Sequence, residues 1–312
     1  MAFEIKATIT TFGGQLLKLT HQSTSTKTPM AVSVFLPPSS TLSTTTPTKA
    51  PVLLFLSGLT CTPDNCSEKG FLHAAASRHG IAVVYPDTSP RGAGVEGEDA
   101  SYDFGSGAGF YVDATRAPWS DNYNMYSYVQ KELLPALFSS STGEGVGFAD
   151  RLDPDHVSIT GHSMGGHGAL TLYLKNPGFY RSVSAFAPIC NPSRCPWGEK
   201  AFAGYLGDGE EDRAAWAAHD ATALVASEAW KGTADFRALV DVGTADGFYK
   251  QGQLLPENFE AAARGNGVGG LTVRYQENYD HSYYFISTFA EDHVKHAAKY
   301  LFGQSKGPKS II

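Results

Sequence analysis

Hydrophobic and polar positions change rhythm once along this chain. Between residues 3 and 37 the runs FEIKATIT, QLLKLTHQ and AVSVFLP alternate, or nearly alternate, apolar with polar side chains. A period of two puts every second side chain on one face, so each run predicts a half-exposed antiparallel strand. From Pro51 onward the apolar positions become continuous: VLLFL, IAVVY, VSIT, SVSAFA, RALVDVG and LTVRYQ, separated by stretches of helical length. Strands covered by helices on both faces read this way, because neither face needs polar side chains. The helical stretches fall at 64–79, 123–138, 164–175, about 211–229, 249–264 and 282–301, with Pro63 at a first-turn position and Thr62 as a candidate N-cap. Together they predict one α/β domain over residues 1–312, with a mostly parallel sheet of about eight strands and antiparallel strands at the N-terminus.

Three stretches break the pattern. The Ser/Thr/Pro tract at about 38–50 has no periodicity and predicts a flexible surface loop, and a second loop is expected at about 139–149. Residues 86–122 are long, Gly-rich and aromatic. Loops of that length in compact domains tend to be functional or disordered, and aromatics set among glycines predict an ordered cover, whether over a site or as a packed excursion.

Composition narrows the partners. A formal charge of −7 argues against nucleic acid or an anionic membrane, since both need a basic surface. No stretch approaches the ~18 apolar residues of a membrane helix. The opening segment, interrupted by Glu4, has no signal-like apolar run, so a cytoplasmic address is expected. Four cysteines are too few for a disulfide framework. The C-x4-C spacing of Cys61/Cys66 and Cys190/Cys195 is not the usual zinc pattern, so free thiols and no metal are expected.

The chemistry concentrates in VSITGHSMGGHGAL, residues 157–170. Gly161-His162-Ser163-Met164-Gly165 fits G-x-S-x-G between an expected strand and an expected helix, the context of a nucleophile elbow. Glycines are needed there because the chain approaches itself at a strained turn that holds the serine at the carboxyl end of the sheet. The stretch lacks the Lys-Ser/Thr of a phosphate loop and the glycine spacing of a dinucleotide site. His162 reads as elbow packing and His167 as a helix residue.

A serine needs a base and the base an orienting acid, in the chain order Ser, Asp or Glu, His. Downstream of the elbow helix stand His219, His281, His293 and His296. Only His281 follows a strand by a short loop. His219 lies in a helical pattern, and His293 and His296 are expected on the solvated face of the last helix. For the acid, Asp246 lies just beyond RALVDVG in a glycine-bounded loop, whereas Asp241 lies within the strand and Asp280 suits a turn. The oxyanion donors are expected to be the backbone N–H groups of Met164 and of Gly58 or Leu59, with Leu59 facing the site if Gly58 makes the turn. A hydrolase-like binding protein without activity would need a broken triad, and every member is present.

Six segments carry a resemblance that covers nearly the whole chain: LSGLTCTPDN, PDTSPRG, DFGSGAGFYVDAT, ITGHSMGGHGAL, SAFAPICNPSRCPWGEKAFAGYLG and DHSYYFISTF. They are similar to the S-formylglutathione hydrolase (esterase D) family of the α/β-hydrolase superfamily. The chain departs from it mainly at the 38–50 and 139–150 loops, and at Tyr102, where the family often has tryptophan. The resemblance implies a serine hydrolase that cleaves the thioester S-formylglutathione to glutathione and formate, with side activity on small carboxylic esters. Carried over, the triad is Ser163, Asp246 and His281, and Leu59 and Met164 supply the oxyanion N–H groups. It also implies that Cys61 lies near the site and that Trp197 borders the acyl pocket. A cytosolic homodimer without a cofactor completes the implied picture. A general short-chain carboxylesterase or acyltransferase on the same fold stays open, as does the way glutathione's carboxylates are held, for which Arg91, Arg116 and Lys200 are candidates.

Overall fold

Each of the nine apolar runs becomes a strand in the computed structural model, which describes residues 3–38, 49–141 and 145–303. The alternating N-terminal runs form β1 (Glu4–Thr11), β2 (Gly14–Gln22) and β3 (Pro29–Leu36), an antiparallel meander. After β4 (Ala50–Leu56) come two short helices, α1 (Pro63–Lys69) and α2 (Leu72–His79), and then β5 (Ala82–Pro86). A helix runs from Met125–Ser127 through a π-helical Tyr128–Leu133 into Leu134–Leu137, and is numbered α3. Next are β6 (Leu152–His162), α4 (Met164–Lys175), β7 (Tyr180–Phe186), α5 (Pro196–Leu206), α6 (Glu210–Trp216) and α7 (Ala221–Val225). The chain closes with β8 (Ala238–Gly243), α8 (Gly247–Lys250), α9 (Pro256–Gly265), β9 (Leu271–Gln276) and α10 (Tyr283–Leu301).

The strands form one sheet in the order β1-β2-β3-β5-β4-β6-β7-β8-β9, nine strands rather than about eight. β3 joins β5 antiparallel, and every pair from β5 to β9 is parallel. All seven residues of β4 are buried, as its unbroken apolar run requires. β9, although apolar in pattern, is the sheet's far edge and only half-buried. From β4 the chain winds outward to β5, then returns past β4 to β6 and continues the other way. The carboxyl ends of the neighbours β4 and β6 therefore flank the point where the winding reverses, the place where open α/β sheets bind ligands.

Three expected helices are broken, each for a local reason. The one at 64–79 divides at Gly70 and Phe71, where Phe71 takes a left-handed φ of 57°. The one at 211–229 is interrupted at Asp220, whose buried carboxylate accepts from the Thr222 and Ala223 N–H groups and starts a new helix. The one at 249–264 divides before Pro256, with Leu255 left-handed. Helices at 164–175 and 282–301 form almost as read. Thr62 and Pro63 start α1 as expected, the Thr62 N–H donating to Asn65 Oδ1 at 2.8 Å. Most of the 38–50 loop and residues 142–144 of the second loop lie outside the described residues.

Candidate active site

Ser163 follows directly on β6 and begins α4, with φ 59° and ψ −120°, the strained turn that its motif predicts. Backbone bonds hold it from both sides. Its N–H donates to the Phe186 carbonyl at 2.9 Å, and its own carbonyl accepts from the N–H groups of His167 and Ile189 at 3.0 and 3.2 Å. A side chain at Gly161 would run into the Gly165 carbonyl, and one at Gly165 into that of Leu56, so the two motif glycines are where the elbow folds onto β4. Gly58, just after β4, is also near the elbow: a Cβ there would stand 3.1 Å from that of Ser163.

Asp246 and His281 stand on neighbouring loops after β8 and β9. The loops are laced together: Ala245 N–H donates to the Tyr279 carbonyl at 2.9 Å, Thr244 N–H to that of Gln276 at 3.0 Å, and Asn278 N–H to Thr244 Oγ1 at 3.0 Å. Fully buried Asp246 caps α8, its Oδ1 accepting from the N–H groups of Phe248 and Tyr249 at 2.7 and 3.2 Å. Its Oδ2 lies 2.6 Å from His281 Nδ1. The His281 ring is also gripped laterally. The His162 ring lies 4.5 Å away on one contact, and the Phe248 ring meets it edge-on at 4.8 Å, 84° between planes. Burial, and then the neighbouring His281, hold the His162 imidazole well below its ordinary pKa, so it is neutral.

Ser163 and His281 open into one pocket of about 190 Å³, walled by Leu59, Cys61, Tyr102, Trp197 and Phe248. Its wall is aromatic and closed by a hydrogen bond, with Trp197 Nε1 donating to Tyr102 Oη at 3.3 Å. The long loop thus contributes Tyr102 to the site, while its Phe110 and Tyr111 are buried as packing. Met164 is the first residue of α4, so its N–H has no acceptor within the helix. Cys61 Sγ lies 3.7 Å from Tyr283 Oη, and burial pushes its thiol pKa up. All four cysteines are free thiols.

The three candidate cations for a carboxylate are otherwise engaged. Arg91 forks onto Asp87 and donates to the Cys61 carbonyl at 3.0 Å, bracing the loop that carries Leu59. Arg116 pairs with Asp212 and Lys200 with Asp103. Two other expectations are resolved by burial. His293 is not solvated: it is fully buried with Nε2 3.1 Å from Asp241 Oδ2, because α10 presents that face to the sheet. Asp241 is buried in β8, as read. Asp280 accepts from Ser282 N–H and Oγ in a turn, and His219 closes a short 3-10 helix. Phe248 and Tyr283 were not found from sequence. The only signal for Phe248 is its place two residues beyond a capping aspartate.

A larger cleft of about 760 Å³, lined by Tyr173, Arg181, Trp230 and Arg237, lies where β7 and β8 begin, at the other end of the sheet. Among the described residues no cluster of His, Cys, Asp and Glu could hold a metal, and no helix is long and apolar enough to cross a membrane.

Comparison with known proteins gives the chain a family. A family model described as "Putative esterase" matches residues 23–296. The S-formylglutathione hydrolase of Mus musculus is 52% identical over 290 residues, 93% of this chain and 95% of that protein. The S-formylglutathione hydrolase of Paracoccus denitrificans is 44% identical, covering 96% of this chain and 99% of its own. Among solved structures, an S-formylglutathione hydrolase from Agrobacterium tumefaciens superposes with a TM-score of 0.85 at 45% identity, over 96% of this chain and 99% of that one. With identity at this level over nearly the full length, the chain belongs to the S-formylglutathione hydrolase family of esterases.

Proposed function

We propose that this protein hydrolyses S-formylglutathione to glutathione and formate, with Ser163 as nucleophile, His281 as general base and Asp246 as the group that orients it. The observation that carries the reading is the shared pocket: a serine on a strained turn and a histidine held at 2.6 Å by a buried carboxylate line the same cavity. His281 Nε2 takes the Ser163 proton as Oγ attacks the formyl carbon. The developing oxyanion is met by the N–H groups of Leu59 and Met164, which need no reorganisation at that moment. The thiolate of glutathione then leaves, taking its proton from the imidazolium. Water deprotonated by His281 attacks formyl-Ser163, the C–Oγ bond breaks with Oγ taking the proton back from the imidazolium, and formate is released. Asp246 keeps Nδ1 protonated, and so keeps Nε2 facing the serine, while stabilising the imidazolium in each half-reaction.

The about 190 Å³ pocket has room beyond a formyl group, which supports side activity on small carboxylic esters. In this reading the enzyme is the hydrolytic step of glutathione-dependent formaldehyde removal, and it works as a cytosolic homodimer, the family's arrangement. Steady-state comparison of kcat/KM for S-formylglutathione and for aryl acetates tests the substrate. Preference for the thioester by orders of magnitude is expected; a preference for aryl acetates would assign a general esterase instead. Sedimentation equilibrium reads the oligomeric state.

A further inference from the structure

Asp241 is the aspartate on β8 that does not face His281, and its surroundings give it a different task. Its side chain is fully buried and saturated. Arg274 of β9 forks onto it, Nε to Oδ1 at 2.6 Å and Nη2 to Oδ2 at 2.5 Å. Gln276 Nε2 adds a bond to Oδ1 at 3.3 Å, and His293 Nε2 of α10 one to Oδ2 at 3.1 Å. Arg274 gives the cluster a second link to α10, Nη1 to Asp292 Oδ2 at 2.8 Å. This one carboxylate therefore ties β8 to both elements that flank the His281 loop, β9 before it and α10 after it.

The same residue also touches the nucleophile's support. The Asp241 carbonyl accepts from Ala187 N–H at 2.7 Å, and Ala187 follows Phe186, whose carbonyl takes the Ser163 N–H. The His293 ring stacks on the Phe186 ring, centroids 3.5 Å apart and 16° between planes. Ser163 and His281 belong to segments more than a hundred residues apart in the chain, and the strained turn at Ser163 persists only if its surroundings over-determine it.

From this we infer that Asp241, with Arg274 and His293, is a positioning cluster that fixes the distance between Ser163 and His281. The carboxylate holds the arm that delivers the base, and its backbone carbonyl and the His293–Phe186 stack hold the strand end that braces the nucleophile. Replacing a charge-saturated carboxylate lets the two halves drift, and displacement of reacting groups by about 1 Å costs on the order of a hundredfold in rate.

This rests on Ser163 and His281 acting as nucleophile and base. The test compares H293L, which loses the bond to Asp241, with H293Q, which keeps a donor, and adds D241N and R274K. Each variant is checked for folding by circular dichroism and assayed well below its melting midpoint, on both an aryl acetate and S-formylglutathione. A fluorophosphonate probe gives the labelling rate of Ser163. In folded H293L and D241N, kcat and the labelling rate fall tenfold or more while KM stays within about twofold. H293Q recovers most of the loss, and R274K, which keeps the charge but not the fork, lies between. If D241N does not fold, the H293L and H293Q pair decides. A folded H293L with wild-type kcat and labelling rate, its melting midpoint alone lowered, overturns the inference. Ser163→Ala is the control for the reading beneath it: turnover surviving in that variant refutes the serine mechanism and not the cluster.

Discussion

The Asp246 carboxylate is divided between two partners, Oδ2 facing His281 Nδ1 at 2.6 Å and Oδ1 taking the first N–H groups of helix α8. The cap sets the plane of the carboxylate, so the histidine meets an acceptor already oriented. Asp246→Asn keeps the size and can keep the cap, but it offers His281 an amide and favours the wrong tautomer. We expect kcat to fall by about 10⁴ with the fold intact, as for a comparable triad aspartate. Steady-state kinetics with circular dichroism checks it, and a loss below tenfold would mean that another group orients the base.

In the proposed mechanism, Ser163→Ala removes the attacking atom from a site whose other parts remain. Turnover of S-formylglutathione is expected to drop by ~10⁶, the scale for loss of a triad serine. Labelling by a fluorophosphonate should vanish as well. Because the strained φ of 59° stays, stability is expected to change little.

Trp197 donates to Tyr102 and packs at 4.6 Å on Phe248, so it holds together three walls of the pocket. Trp197→Ala should raise kcat/KM for butanoyl and longer esters relative to acetates. An unchanged chain-length profile would remove Trp197 from the acyl wall.

Cys61 is half-buried, and burial raises its pKa, against the smaller opposing effects of Tyr283 and the Gly58 backbone. Little thiolate exists near neutrality, and the thiolate is the reactive form. Iodoacetamide should therefore inactivate the enzyme slowly at pH 7 and faster as pH rises past the ordinary thiol range. Cys61→Ala should be resistant. A rate that is flat with pH would contradict a raised pKa.

Several histidines are held in neutral form, His73 and His167 buried and His219 and His296 half-buried. Burial holds His73, His167 and His296 down to about 4 and His219 to about 3. Unfolded, each would titrate near the ordinary 6.5. Below that pH the unfolded chain takes up protons that the folded chain refuses, so stability falls from about pH 6.5 toward 4. For His167, fully buried, the shift corresponds to about 3 kcal/mol lost by pH 4. Urea midpoints measured across that range should slope downward on acidification, and His167→Gln should flatten the slope.

Much of the site was legible because its local grammar is strong. Glycines at 161 and 165 around a serine, between an apolar run and a helix, mean the same turn wherever they fold. Asp246 and His281 were legible by their place just after strands. Helix interruptions were not, because the left-handed backbone of Phe71 and Leu255 leaves no mark in the apolar periodicity. His293 was misread for a related cause. One helix face looks much like another until the sheet beneath it, and the Asp241 carboxylate it meets, are in place.

The sequence by itself determined which residues are strands, where the elbow bends and which serine, aspartate and histidine have the right order, since these follow from side-chain period, glycine sterics and short-range spacing. Only the tertiary structure decided what meets across the chain: Asp246 with His281, Phe248 and His162 against the same imidazole, Tyr102 over Trp197, and Arg91 turned onto Asp87 rather than toward the pocket. Apart from the Arg91–Asp87 pair, four residues apart, those contacts join positions from about thirty to more than a hundred residues apart. Their geometry is set by strand order and close packing, which no local pattern encodes.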